Sequence, residues 1–146
     1  MEVKIMKDLH NKIEVVSILP PIGISADQTF DDIDLAGWNS AELVIHVGLD
    51  AALAAGSAYW DFILYDSDDG TTYAVVETAD VLGAGTITSG IILTVDTTAK
   101  DNAVYHFGYV GGKRYLRLVV YETGALTGPL SIELIKGDPQ DSPVIS

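Results

Sequence analysis

The stretch covering residues 102–121, NAVYHFGYVGGKRYLRLVVY, limits what this chain can become more than any other. Two aromatic-rich apolar runs, 104–110 and 115–121, flank Gly111-Gly112-Lys113-Arg114. Paired glycines between two alternating runs are the composition of a tight reversal, so the stretch predicts a β-hairpin. Strand periodicity places Tyr105, Phe107 and Tyr109 on one face of the first strand, and Tyr115, Arg117, Val119 and Tyr121 on one face of the second. On this reading Gly108, Gly111, Gly112, Arg114 and Arg117 are the structural residues of the hairpin, with Gly111 and Gly112 supplying the positive backbone angles of the turn.

Similar runs recur along the chain. Strands are predicted over 15–19, 41–48, 59–66, 73–77, 90–95 and 130–135, with a short edge strand near Ile33 and Leu35. Leu43, Ile45 and Val47 point inward. Residues 59–66 and 73–77 form a second hairpin around Ser67-Asp68-Asp69-Gly70-Thr71, and Pro20-Pro21 stops the first strand. Residues 50–56 suit either one helical turn or a loop. About eight strands without a long amphipathic helix predict an all-β, antiparallel β-sandwich of the jelly-roll kind. The expected organisation is a flexible arm over 1–14, a sandwich over 15–136 and an extended tail over 137–146.

At 146 residues the chain suits one domain with a real core, and its apolar runs are too short to cross a bilayer as helices. The amino terminus lacks a secretory pattern, so synthesis in the cytoplasm is expected, with no membrane partner. There are no cysteines to provide disulfides, thiolate ligands or thiol nucleophiles. A net charge of −13 repels a phosphate backbone, and Lys113, Arg114 and Arg117 are the only basic cluster, so direct nucleic-acid binding is not expected.

Candidate chemistry is sparse. Asp66-Ser67-Asp68-Asp69-Gly70 is acidic enough for calcium, but its spacing is not that of an EF-hand, and these residues equally suit a turn. Asp31, Asp32 and Asp34 read as a solvated edge that discourages strand-to-strand aggregation. His10, His46 and His106 share no metal-ligand spacing. Residues 108–113 superficially match a phosphate loop but lead into a strand instead of a helix. No catalytic, cofactor-binding or metal-binding residue is therefore assigned. Trp38 and Trp60 are the candidate interaction aromatics, because with the tyrosines they can form a sugar-stacking platform. A carbohydrate-binding β-sandwich module is accordingly one reading of the chain.

Another comes from a resemblance. The stretches Ile33-Asp34-Leu35-Ala36-Gly37-Trp38-Asn39-Ser40-Ala41, Asp66-Ser67-Asp68-Asp69-Gly70-Thr71-Thr72-Tyr73 and Gly108-Tyr109-Val110-Gly111-Gly112-Lys113-Arg114-Tyr115-Leu116-Arg117 resemble small tailed-bacteriophage and prophage virion proteins of the capsid-decoration type, over roughly residues 15–143. The resemblance implies a non-enzymatic structural protein on the outside of the head, with a neck or tail component as its variant. It implies the major capsid protein or another virion protein as partner and a homo-oligomer, preferably a trimer. The location it implies is the virion, after synthesis in the host cytoplasm. It carries over no active-site residue.

Overall fold

The computed structural model describes residues 5–141. Eleven strands are present: β1 (Ile13–Gly23), β2 (Gln28–Thr29), β3 (Ile33–Asp34), β4 (Trp38–Val47), β5 (Tyr59–Ser67), β6 (Ala74–Val75), β7 (Val81–Leu82), β8 (Ile91–Val95), β9 (Ala103–Tyr109), β10 (Tyr115–Thr123) and β11 (Pro129–Pro139). The other regular elements are short 3-10 turns at His10–Lys12, Ala51–Ala55 and Thr78–Asp80. One sheet has the order β1-β11-β4-β9-β7; the other has β2-β10-β5-β6, with β3 also on β10 and β8 also on β5. Every named pair is antiparallel. The fold is thus the expected all-β sandwich.

Alternation explains how the sheets face each other. On β4, Ala41, Leu43, Ile45 and Val47 are buried, and they lie in register with Phe107 and Tyr109 of β9 and with Leu130, Ile132 and Leu134 of β11. The second sheet contributes Trp60, Phe62 and Leu64 of β5 beside Leu116, Leu118 and Val120 of β10. Apolar side chains at every second position leave the interior of a two-layer sandwich dry and densely packed.

The central hairpin is not formed. β9 pairs with β4 and β7 in the first sheet, whereas β10 pairs with β5, β2 and β3 in the second. The five residues from Val110 to Arg114 therefore cross from one sheet to the other. At roughly 3.3 Å per residue they can span the roughly 10 Å between packed sheets. The glycine roles also divide. Gly112 has a φ of +76°, but Gly111 has no positive φ; a Cβ there would lie 2.7 Å from the Oη of Tyr109. Replacing Gly111 by alanine is expected to cost about 1–3 kcal/mol through overpacking, and Gly112→Ala about 1–2 kcal/mol through left-handed backbone strain. Asparagine at position 112 should recover part of the latter. Urea denaturation of the three variants measures all these effects.

The second hairpin is present, pairing Tyr65 with Val75 and Asp66 with Ala74. Residues 51–55 do form a helical turn, capped by Asp50. Pro20-Pro21 do not stop the first strand, because β1 is an edge strand, where a missing N–H is tolerated, and its register shifts on both sides of Leu19. β1 already begins at Ile13, and β11 runs three residues into the stretch read as a tail, pairing Gly137 with Ser40 and Pro139 with Trp38. The remainder of that tail after Asp141, and residues 1–4 of the arm, lie outside the described residues.

Candidate interaction surfaces

The crossover closes one end of the sandwich, and the buried Tyr109 anchors it. Its hydroxyl donates to Oδ2 of Asp66 at 2.8 Å and accepts the backbone N–H of Lys113 at 3.1 Å. Lys113 Nζ lies 3.7 Å from the other oxygen of Asp66. Burial pushes the Tyr109 phenol well above its ordinary range, so it stays protonated as the donor. Nearby, Arg114 grips Asp34 with two parallel hydrogen bonds of 2.9 Å, and Arg117 Nε meets Asp32 Oδ1 at 2.7 Å. Arg117 lies 3.9 Å over the ring of Tyr73. The basic cluster of the sequence is thereby engaged by acids of its own chain. Asp32 and Asp34 are arginine partners, and the solvated-edge description fits Asp31 alone.

The Asp66–Gly70 segment is a turn built on its own side chains. Ser67 Oγ accepts the N–H groups of Asp69 and Gly70, and Asp69 accepts those of Thr71 and Thr72. Among the described residues, no group of three metal-ligating side chains is assembled. His46 and His106 lie on the outer face of the first sheet, where His106 Nδ1 is 2.6 Å from Glu42 Oε1.

Two carboxyls give the fold an acid limit. The N–H groups of Thr72 and Thr71 lower Asp69, and the Arg114 guanidinium with the Ala36 N–H lowers Asp34, each from 3.8 to about 2. A depressed carboxyl contributes stability that is complete above its unfolded pKa and disappears as pH falls through its folded one. Melting temperature is therefore expected to drop on acidification from about pH 3.8 to about 2. Both groups are well exposed, so the drop is modest, and in Asp34→Asn it should be shallower, as thermal scans in an acid series will measure.

A groove of about 480 Å³ lies at this end, lined by Leu35, Trp38, Ser40, Tyr109, Val110 and Arg114 among others. It unites three of the residues singled out in the sequence, Trp38, Gly112 and Arg114. Gly108 and Arg117 lie elsewhere. Gly108 is packed on β9 between Glu42 and Leu82, and Arg117 stands on the outside of the second sheet. Trp60 is 0% exposed, so the pairing of Trp38 and Trp60 as an aromatic platform is overturned: the inner face of β5 claims the larger ring.

An aromatic surface does exist, on the outer face of the second sheet. There the register sets Tyr115 beside Ser67, Arg117 beside Tyr65, Val119 beside Ile63, Tyr121 beside Asp61, and Thr123 beside Tyr59. With Tyr73 beneath Arg117, five of the seven tyrosines occupy this side, all of them half-buried or exposed. The sequence carried the signal in β5: in Tyr59-Trp60-Asp61-Phe62-Ile63-Leu64-Tyr65, the positions alternating with Trp60, Phe62 and Leu64 hold two tyrosines, Asp61 and Ile63.

No family model matches this chain, and no curated protein matches it in sequence. Solved structures similar to it include the SPBc2 prophage-derived protein YomS, at 12% identity and a TM-score of 0.49, covering 94% of this chain and all of that one. A protein of the Bacillus endospore appendages, described as disulfide-linked pili, gives 11% and 0.46, covering 96% of this chain and 100% of the other. A chain of Desmodium yellow mottle tymovirus gives 12% and 0.34, covering 97% and 98%. At such identities and scores these are loose likenesses of chain course.

Proposed function

We propose that this chain is a non-enzymatic structural protein of a bacteriophage particle, of the capsid-decoration type. In this reading it is made in the host cytoplasm, sits on the outside of the head against the major capsid protein or another virion protein, and assembles as a homo-oligomer, with its terminal segments as flanking arms. One observation carries the reading. The three stretches that resemble phage virion proteins lie far apart in sequence yet converge on one end of the sandwich: Asp34 holds Arg114, Asp66 holds Tyr109, and a Cβ on Gly70 would touch the Tyr115 ring at 3.3 Å. The resemblance thus falls on a single structural unit. The tyrosine face supplies the attachment surface, since half-buried tyrosines around an arginine are the usual composition of a protein interface.

The test is co-sedimentation of the purified protein with phage particles lacking its gene. Wild type is expected to bind, and Tyr65→Ser/Tyr121→Ser, shown folded by circular dichroism, to bind at least about thirtyfold more weakly, as for an interface hot spot. The same tyrosines, with Asp61 bonded to Thr94 at 2.6 Å, favour a carbohydrate-binding module as the second reading. Glycan-array binding that depends on Tyr121, together with no binding to particles, would replace the first reading by that one.

A further inference from the structure

A cleft lies between the edge strand β1 and the β2–β3 segment, bordering the tyrosine face at Asp32. Its volume is about 240 Å³, and Val16, Ile18, Phe30 and Ile33 line it beneath Ser17, Thr29, Asp31 and Asp32. Asp32 is engaged by Arg117, whereas Asp31 is exposed and has no ion pair among the described residues. Among the described residues β1 pairs only with β11, so one backbone edge of this 11-residue strand meets no described strand. Pro20 and Pro21 have no N–H to donate, which leaves Ile13–Ser17 as the part best suited to strand addition.

The segment before β1 is complementary to that cleft in both apolarity and charge. Ile5, Met6 and Leu9 are 87%, 89% and 64% exposed, three large apolar side chains within five residues that are mostly open to solvent. Residues 1–12 also carry Lys4, Lys7 and Lys12 against Glu2 and Asp8, so the chain's entire acidic excess lies beyond them. A weakly basic segment with three exposed apolar side chains therefore precedes a strongly acidic body, and the cleft beside β1 combines apolar lining residues with exposed acids.

We infer that the arm around Ile5–Leu9 of one copy docks in the β1/β2–β3 cleft of a second copy, placing Ile5, Met6 or Leu9 over Phe30 and Ile33 and Lys7 beside Asp31. A second copy is the occupant because the chain's own arm does not fill the cleft: Ile5, Met6 and Leu9 stay exposed, none of them lines it, and the chain turns just before β1, where the Lys12 N–H meets the Leu9 carbonyl at 3.0 Å. The five residues Ile5–Leu9 ahead of that turn span about 16 Å when extended, enough to reach a second sandwich packed against this side. Apolar contact supplies the attraction, while pairing of opposite charges offsets the repulsion between two acidic bodies. This inference rests on the self-association proposed above and needs no virion.

The absence of cysteine makes a direct test possible. Met6→Cys and Ser17→Cys are made in separate, differently tagged chains, mixed in equal amounts and oxidised. A mixed disulfide is expected, several-fold above that between Met6→Cys and a remote Thr98→Cys control. Asp31→Lys in the Ser17→Cys partner should lower the yield at least fivefold, and Lys7→Glu in the arm partner should restore it. A yield no greater than the control, or a chain bearing both cysteines that closes on itself as a monomer, would overturn the inference. Sedimentation of the unmodified protein separates the two failures: an oligomer without the cross-link removes only the arm, and a strict monomer at every concentration removes self-association too.

Discussion

Replacing Trp60 by alanine is expected to remove about 3–5 kcal/mol, the range for deleting a fully enclosed large aromatic side chain. The ring is 0% exposed on the inner face of β5, between Phe62 on its own strand and the β10 residues opposite. A domain of this kind is stable by only about 5–15 kcal/mol, so the variant should lose a large part of its margin and melt about 10–20 °C earlier. Trp38→Ala, at the half-buried rim of the end groove, should cost markedly less. Urea denaturation of the two variants decides it; equal losses would show that the two rings do not have the separate roles assigned to them.

The second large effect is expected at a residue with no conspicuous motif around it. The Asp50 carboxylate is buried and accepts three backbone N–H groups, from Ala52 at 2.9 Å, Thr127 at 2.9 Å and Gly128 at 2.6 Å. It caps the 3-10 turn and ties it to the loop before β11. Asp50→Ala leaves all three donors without this acceptor, at about 1–3 kcal/mol for each group that water cannot reach, and we expect a total near 3–5 kcal/mol. Asp50→Asn keeps one acceptor oxygen and should lose less. Asp68→Ala, in the far more conspicuous acidic turn, is exposed and should stay within about 0.5 kcal/mol of wild type. Thermal melts of the three proteins measure this order, and a destabilised Asp68→Ala beside an unaffected Asp50→Ala would contradict it.

These two residues show where the sequence was legible. The inner faces of β4, β5 and β10 follow from alternation alone, because a side chain's face is set by its position modulo two. Trp60 lies on the same face as Phe62 and Leu64, and that pattern decides its burial more strongly than the general taste of tryptophan for binding sites. Strand pairing was less accessible. A short glycine-rich link serves a hairpin and an inter-sheet crossover equally well, and what separated them was the competition of β4, β5 and β7 for β9 and β10, all distant in sequence. Asp50 was invisible for the same reason, since two of its three donors come 77 and 78 residues later. The basic cluster was visible, but its partners Asp32, Asp34 and Asp66 became assignable only once β3 and β5 were seen flanking β10.

The measurement that bears most directly on the proposed function is the location of the protein in a preparation of phage particles from the host that encodes it. Particles purified through a density gradient, labelled with gold-conjugated antibody to this chain and imaged by electron microscopy, are expected to carry label on the outer surface of the head, with the chain detected by mass spectrometry in the same band. Unlabelled particles from a lysate in which the protein is abundant and soluble would contradict the account.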